Sequence, residues 1–319
     1  KAIELDPENP DLYNIRAECK WHYMMLDQGD YKGAIDDHSK AIELDPENPD
    51  LYLRRAHTKD LSHDFEGAID DYTTAIQLDP KNPNTYIRRA DDKFRVLDYQ
   101  GGNDDNSKAI ELDPENPEIY YEIALNFSSL ENYQGVIDNC SKAIELDPNP
   151  VGLHSLRASA KLSLQDYQGA IDDYTKAIEI DTDPEYLDWK YASRARAKFF
   201  LHDDQGAIDD YSKAIELNPD ESSHYLERAD RKFYFGDYQG AIDDHSKVIE
   251  LDPENPVTYI TRGNIKTRST ISDHQGAIDD YSKALELTTY ETDKREILEL
   301  RSKAYQILSK LDLDNSQSL

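Results

Sequence analysis

A heptapeptide, Lys-Ala-Ile-Glu-Leu-Asp-Pro, opens the chain and returns with small changes along most of its length. Successive copies begin 39, 34, 34, 34, 34, 37, 34 and 36 residues apart. A period of this size predicts stacked helical hairpins, each too small to bury its own apolar face and therefore stabilised by its neighbours. We expect an all-α repeat array that functions through a long surface. The copies begin at Lys1, Lys40, Thr74, Lys108, Lys142, Lys176, Lys213, Lys247 and Lys283.

One unit can be followed through residues 48–80. Asn48-Pro49 places a side-chain acceptor at an N-cap and a residue without an N–H at the first helical position. The first helix of the unit, helix A, is predicted to run to about Leu61. After a short turn around Asp64, the second helix, helix B, ends at Asp79-Pro80, because the residue before proline avoids the α region.

The residues of this unit resemble the tetratricopeptide (TPR) repeat. They include Tyr52 in helix A, the small residues Ala56 and Ala68 where the paired helices cross, and Ala75 four residues before Asp79-Pro80. Tyr-x-x-Arg-Ala/Gly-x-x-Lys in helix A and Tyr-Gln-Gly-Ala-Ile-Asp-Asp-Tyr in helix B are similar to a bacterial subtype. The resemblance implies an α-solenoid forming a right-handed superhelix, with helix A lining a concave groove. It also implies a role in protein–protein interaction, and no catalytic activity.

The repeat covers most of the chain, so we expect one continuous domain. Residues 1–287 are predicted to form the array, as a half unit followed by about eight units. Residues 288–311 read as an amphipathic capping helix, and residues 312–319 as a polar tail.

The chain is strongly acidic, with 36 Lys and Arg residues against 66 Asp and Glu residues and a net charge of −30. Such a charge repels phosphate backbones and anionic lipid surfaces, which argues against nucleic-acid and membrane partners. No apolar run approaches the ~20 residues that span a bilayer. We expect a soluble protein; the sequence does not distinguish a cytoplasmic from a secreted one. Cys19 and Cys140 lie too many units apart to form a disulfide.

Two cationic columns recur on helix A. They could form a ligand surface, but an Asp-Asp pair recurs at the same period on helix B, which favours structural ion pairs between packed helices. The arginine column is Arg16, Arg55, Arg89, Arg157, Arg194, Arg228 and Arg262. The lysine column is Lys20, Lys59, Lys93, Lys161, Lys198, Lys232 and Lys266.

The pattern is interrupted in the third and fourth units. Gly102 and Asn106 stand where other units have alanine and tyrosine, and Cys140 stands at a tyrosine position. Ile123 and Phe127 interrupt the two cationic columns at the same place. Loss of large buried side chains leaves a costly cavity unless another side chain fills it. We expect Phe127 to fill the space beside Asn106 or Cys140.

Three insertions lengthen the period, near residues 21–25, 185–190 and 269–272. Lengthened turns project from one edge of a solenoid and often bind partners. Alternatively, the extra residues only extend helix A.

No pattern for catalysis, metals or cofactors is present. Histidines show no His-x-x-x-His pair, and the Asp-Asp pairs lack the loop spacing of a calcium site. His38, His154, His245 and His274 replace tyrosines of other units, so we interpret them as core or rim aromatics. The glycines of the Gly-Ala-Ile segments are interpreted as packing glycines at the helix crossing. We expect no enzyme activity, no metal and no cofactor.

The resemblance also implies which helix A residues face the concave groove. This wall combines apolar side chains with carboxylates, which favours a partner segment carrying apolar and basic residues. Clamping of a C-terminal carboxylate is not favoured, because the matching positions are mostly apolar or acidic. The wall residues are Leu53, His57, Asp60, Ile87, Asp91, Phe94, Arg95, Tyr121, Leu125, Ser128, Ser159, Leu162, Phe199, Leu226, Asp230, Phe233, Tyr234, Ile260 and Asn264.

Two functions therefore fit the sequence. The first is a scaffold that binds a basic and apolar peptide or protein segment in its groove. The alternative is a structural protein that assembles end to end with itself, because the half unit at Lys1 would present an apolar face.

Overall fold

The computed structural model describes residues 2–22, 30–147, 152–180, 186–268 and 272–317, with side chains for all of these except 2, 21, 22, 291 and 312–317. Every regular element among these residues is an α-helix, and consecutive helices pack as antiparallel pairs. The prediction of an all-α solenoid of helix A and helix B pairs is confirmed. The chain divides into two compact units, Lys1–Leu153 and His154–Leu319. Because solenoid repeats contact only their neighbours, such a division can fall at any junction between repeats.

The first compact unit contains four complete helix pairs, preceded by a short helix. Its helices are α1 Ala2–Leu5, α2 Pro10–His22, α3 Tyr31–Leu44, α4 Pro49–Leu61, α5 Phe65–Leu78, α6 Pro83–Arg95, α7 Tyr99–Leu112, α8 Pro117–Ser129 and α9 Tyr133–Leu146.

The second compact unit contains four further pairs and a long C-terminal helix. Its helices are α10 Leu153–Ser163, α11 Tyr167–Ile180, α12 Leu187–Phe200, α13 Asp204–Leu217, α14 Ser222–Phe235, α15 Tyr238–Leu251, α16 Pro256–Arg268, α17 His274–Leu287 and α18 Glu291–Gln317.

Helix A begins as the Asn-Pro pairs predict. In α4, the Asn48 side chain accepts a hydrogen bond from the Asp50 N–H at 3.1 Å, and proline follows at the first helical position. The hydroxyl of Tyr52 donates to the Pro46 carbonyl at 3.2 Å, which attaches the helix to the preceding turn. Each start is therefore fixed by contacts within about six residues of sequence.

Helix B begins at a second cap, which contains the glycine that the sequence pattern placed at the helix crossing. The Asp64 side chain accepts a hydrogen bond from the Gly67 N–H at 3.1 Å. A Cβ at Gly67 would lie 2.3 Å from the Asp64 carboxylate, so glycine is needed for this cap rather than at the helix crossing. The crossing is made by Ala56 and Ala68, both fully buried. The same cap recurs at Asp30, Asp98, Asn132, Asp166, Asp203, Asp237 and Asp273.

The C-terminal helix α18 is longer than the predicted capping helix of residues 288–311. It begins at Glu291 and continues to Gln317, through most of the predicted polar tail of residues 312–319. Residues 312–317 contain neither glycine nor proline, so nothing in the sequence ends the helix there. Ile297 and Ala304 are buried against the apolar face of α17.

Candidate functional site

The cationic columns of helix A are structural. In the pair α4–α5, the Arg55 guanidinium donates to both carboxylate oxygens of Asp71, at 2.8 and 2.6 Å. The Lys59 ammonium lies 2.8 Å from the same carboxylate and donates to the Gly67 carbonyl at 3.1 Å. We call this arrangement of arginine, lysine and aspartate the clasp. It recurs at Arg16–Lys20–Asp37, Arg89–Lys93–Asp105, Arg157–Lys161–Asp173, Arg194–Lys198–Asp210, Arg228–Lys232–Asp244 and Arg262–Lys266–Asp280.

The clasp aspartates are buried, and each is paired with its arginine and lysine. In the α10–α11 pair, burial raises the pKa of Asp173, but hydrogen bonds from Arg157 and Lys161 outweigh it and hold the pKa below its ordinary value. The cations are thereby engaged inside the repeat. The prediction of structural ion pairs is confirmed, and the columns are not a ligand surface.

The α8–α9 pair replaces the whole clasp with an uncharged set. Ile123, Phe127 and Asn139 stand at the arginine, lysine and aspartate positions. The Asn139 side-chain amide donates to the Gly135 carbonyl at 2.9 Å, the bond that lysine makes elsewhere. A Cβ on Gly135 would lie 2.7 Å from the Phe127 ring, so the ring packs directly against this glycine. The ring thus occupies the place that the side chain of the clasp lysine takes in other repeats. The three replacements compensate one another.

Phe127 is half-buried. It packs against the core around Ile123, and its ring centroid lies 6.2 Å from that of Phe94. The space above Gly102 is filled by Phe94, whose ring would lie 2.4 Å from a Cβ there. Asn106 remains buried, and its amide has no hydrogen-bond partner among the described residues. A glycine thus makes room for each phenylalanine, and the packing of Phe127 beside Asn106 or Cys140 stays a prediction.

In the first compact unit, the helix A wall contains an open groove of about 310 Å³. It brings together Leu53 and His57, two of the predicted wall residues, with side chains from α5 and α6. Arg88, which follows Ile87, enters the groove from α6 and is not among the predicted wall residues. The lining residues are Leu53, His57, Tyr72, Asn82, Asn84, Thr85 and Arg88.

Two predicted wall residues of α6 lie in the interior of the structure. Ile87 is 2% exposed and Phe94 is 3% exposed. Ile87 packs against α8 in the core that contains Ile123, while Phe94 covers Gly102. On α8 itself, Tyr121 is half-buried and Leu125 is partly exposed.

The predicted carboxylates of this wall are partly neutralised. Arg95 makes ion pairs of 2.9 Å with both Asp60 and Asp91. Beside them, Asp92 is 1% exposed, and neither of its oxygens has a hydrogen-bond partner among the described residues. Burial, followed by the charges of Asp60 and Asp91, raises the pKa of Asp92 to about 8. Its carboxyl is therefore largely protonated at neutral pH.

In the second compact unit, α14, α16 and α18 enclose an open groove of about 440 Å³. Five predicted wall residues lie in it together: Asp230, Phe233, Tyr234, Ile260 and Asn264. Leu226 is exposed one turn before Asp230. We call this the α14–α16–α18 groove. It is lined by Asp230, Phe233, Tyr234, Ile260, Thr261, Asn264, Ile265, Arg268, Glu296 and Leu300.

The aromatic side chains of this groove differ in exposure. Phe233 is half-buried, packs against the core around Ala229 and Ala241, and makes an edge contact of 5.4 Å with Tyr238. Tyr234 is 72% exposed and touches Phe233 edge-on at 5.8 Å. Phe233 thus forms a fixed floor, and Tyr234 an exposed side wall.

The histidines at tyrosine positions belong to the interior. His38 and His245 are buried, and burial lowers the pKa of His38 to about 4, which keeps its ring neutral. His154 and His274 are also buried. Over the described ranges, no group of three or more His, Cys, Asp or Glu side chains is arranged to hold a metal ion.

Only part of each inserted segment lies among the described residues. Residues 23–25, 185 and 269–271 lie outside the described residues. Trp189, in the second insertion, is half-exposed at the start of α12 and makes an edge contact of 5.9 Å with Tyr174. None of the described helices has both the length and the apolar character that crossing a membrane requires.

Family models and solved structures agree with the repeat geometry. The model named TPR repeat matches residues 23–59, and the model named Tetratricopeptide repeat matches residues 49–82, 117–150 and 152–184. A comparison with curated proteins found no significant match.

Two solved TPR structures share the fold at low sequence identity. The C-terminal part of a TPR repeat-containing protein from Cytophaga hutchinsonii is 17% identical, with 77% of this chain and 99% of that chain aligned at a TM-score of 0.63. YrrB, described as a TPR protein with an unusual peptide-binding site, is 19% identical over 62% of this chain and 97% of its own, at a TM-score of 0.51. MamA is 24% identical over 55% and 92%, at a TM-score of 0.49. The chain is a tandem array of tetratricopeptide repeats.

Proposed function

We propose that this protein is a non-catalytic interaction scaffold, and that it binds a partner segment carrying apolar and basic side chains in the α14–α16–α18 groove. TPR arrays are generally interaction scaffolds without enzyme activity, and YrrB, which shares the fold, has a peptide-binding site. The observation that carries the proposal is the exposed Tyr234 beside the fixed Phe233, with carboxylates within the same groove.

The groove supplies both the apolar contacts and the negative charge that such binding needs. Phe233, Ile260 and Leu300 offer an apolar floor for an aromatic or aliphatic anchor. Asp230 and Glu296 line the groove with one cation, Arg268. A second cation, Arg231, lies 4.0 Å from Asp230 and 3.9 Å from Glu227, so three carboxylates face two cations and a lysine or arginine of the partner finds a net negative surrounding. The net charge of −30 attracts basic segments to the whole molecule.

The groove of the first compact unit is a weaker candidate for a basic partner. Arg88 lines it, and Arg95 already engages Asp60 and Asp91. Leu53 and His57 remain available for apolar and polar contacts. We therefore place the basic part of the partner segment in the second compact unit.

A random peptide library displayed on phage and selected against the full chain tests the proposal. We expect selected peptides to combine lysine or arginine with aromatic or aliphatic residues. Tyr234→Ala should weaken binding by about tenfold, as an exposed aromatic anchor does. Tyr290→Ala is the matched control, because Tyr234 and Tyr290 are both 72% exposed but Tyr290 lies outside the groove.

A second pair of variants tests the carboxylates of the groove. Asp230→Asn should slow association at low salt, whereas Glu254→Gln, an exposed carboxylate on a different turn, should leave it unchanged. Selection of acidic peptides, or equal effects of Tyr234→Ala and Tyr290→Ala, would refute the proposal.

End-to-end self-assembly remains the alternative function. Leu5 of α1 is largely exposed, and self-assembly would need exposed apolar side chains of this kind. Sedimentation velocity distinguishes the two: the scaffold proposal predicts a monomer over micromolar concentrations, and filaments or a concentration-dependent series of oligomers would favour self-assembly.

A further inference from the structure

The C-terminal helix α18 occupies the position of a helix A that follows α17. In preceding units, a helix A arginine donates to a serine of the helix B before it, as Arg262 does to Ser246 at 2.9 Å. Arg301 donates to Ser282 in the same way, at 3.2 Å. The pair fixes the register of α18, so that Arg301 stands at the arginine position of the clasp.

In this register, one face of α18 corresponds to the surface that helix B covers elsewhere. It carries Leu298, Arg301, Ser302 and Tyr305 at the tyrosine, arginine, alanine and lysine positions. The alanine at the Ser302 position of α4 is fully buried, whereas Ser302 is exposed, and Leu298 and Tyr305 are 46% and 49% exposed.

This face lines two adjoining open grooves of about 500 and 970 Å³. We call it the α18 face. The first groove is lined by Leu298, Arg301, Ser302, Tyr305, Gln306, Ser309 and Lys310, and the second by Leu285, Thr292, Lys294, Arg295, Leu298, Glu299 and Ser302.

The charge of the α18 face indicates what it would bind. In seven clasps the arginine meets an aspartate of helix B, but in the described part of the chain no carboxylate lies within ion-pair distance of Arg301. Arg295 and Lys310 also line the grooves, against one acid, Glu299. A basic and apolar face on a strongly acidic protein complements an acidic amphipathic helix.

We propose that the α18 face binds an amphipathic helix of a partner protein with the pattern Gly-Ala-x-x-Asp. The α4–α5 pair supplies the template, because Ala68 packs on Ala56 while Asp71 accepts from Arg55. By the same geometry, the partner alanine lies on Ser302 and its aspartate pairs with Arg301.

The glycine of the pattern follows from the aromatic residue at the lysine position. Tyr305 stands where Phe127 stands in α8, and the Phe127 ring lies against Gly135 of α9. A partner residue larger than glycine would collide with the Tyr305 ring in the same way.

A second folded copy of this chain is not the expected occupant. Its helices α3, α5, α7, α11, α13, α15 and α17 already use their aspartates in their own clasps. Among the described helices, every one with the pattern Gly-Ala-x-x-Asp already packs this face against its own helix A. The α18 face is also separate from the α14–α16–α18 groove, which Glu296 and Leu300 line from another side of α18.

The test uses a fluorescent, helix-stapled peptide that copies residues 203–217, which contain Gly206, Ala207 and Asp210. Anisotropy titrations with the full chain should show saturable binding. Arg301→Gln in the protein, or Asp210→Asn in the peptide, should weaken it by about tenfold, and the two together should cause no further loss. Lys303→Gln, which removes a cation from another side of α18, should leave binding unchanged, as should Tyr234→Ala.

Three outcomes would overturn the proposal. One is the absence of saturable binding up to about 200 µM peptide. Another is an equal loss with Lys303→Gln and Arg301→Gln. The third is a protein dimer in sedimentation that Arg301→Gln dissociates, because a second copy would then be the occupant. Far-ultraviolet circular dichroism of each variant separates lost binding from lost folding.

Discussion

Removing one aspartate from a clasp should be far more damaging than replacing the whole clasp. Asp244 is buried and accepts from Arg228 at 2.9 and 2.6 Å and from Lys232 at 2.9 Å. Asp244→Ala leaves two largely buried cations, of which Arg228 keeps only the Ser212 hydroxyl and Lys232 a long contact to the Gly240 carbonyl. We expect a loss of about 3–5 kcal/mol in the free energy of unfolding, as for one broken partner of a buried pair.

The α8–α9 pair shows how a whole clasp can be replaced by uncharged residues. Arg228→Ile, Lys232→Phe and Asp244→Asn together reproduce Ile123, Phe127 and Asn139 in the α14–α15 pair. Gly240 provides the site for the phenylalanine ring, as Gly135 does in α9. The asparagine can donate to the Gly240 carbonyl. We therefore expect the free energy of unfolding of the triple variant to lie within about 1 kcal/mol of that of the wild type.

Urea unfolding followed by circular dichroism measures both variants, and hydrogen exchange of the α14 and α15 amides localises the effect, since repeat arrays need not unfold in two states. The reasoning is refuted if the triple variant loses as much stability as Asp244→Ala. It is also refuted if Asp244→Ala costs less than about 1 kcal/mol, the range of an exposed ion pair.

Three further perturbations follow from local geometry. Burial and Asp60 raise the pKa of Asp92 from 3.8 to about 8, so the native state retains a proton that the unfolded chain releases, and stability should fall as pH rises from about 4 to 8. With Asp92→Asn, the urea midpoint should depend less on pH, and the free energy of unfolding near pH 9 should rise by about 1–3 kcal/mol. Gly102→Ala places a Cβ 2.4 Å from the Phe94 ring and should cost about 1–3 kcal/mol, partly restored by Phe94→Leu, in the same urea assay. Leu97 has a φ of 67°, so Leu97→Gly should raise the thermal midpoint through a gain of about 1 kcal/mol; a lowered midpoint would contradict that reasoning.

Much of the fold could be predicted because its determinants are local in sequence. The Asn-Pro starts and the Asp-Pro ends involve neighbouring residues, and the clasp could be inferred because both charge columns share one period. The Asp64 cap with Gly67 is equally local, but the glycine also fits a helix crossing, and only the position of the carboxylate distinguishes the two roles.

The exposure of the wall residues could not be predicted from their position in the repeat. Leu53 and Ile87 occupy the same position, yet Leu53 lines a groove while Ile87 is buried against the apolar α8. The neutralisation of Asp60 depends on Arg95, which lies 35 residues away and contacts it only after adjacent repeats stack. Such differences arise between neighbouring repeats, where a pattern within one repeat carries no information.

Photo-crosslinking of a selected peptide tests the central claim most directly. A benzophenone side chain replaces the aromatic anchor of a peptide obtained from the library, and mass spectrometry locates the crosslinked residue on the full chain. The account predicts crosslinks to Phe233, Tyr234, Ile260 or Leu300 of the α14–α16–α18 groove. Crosslinks confined to the helix B surfaces of α15 and α17 would contradict it.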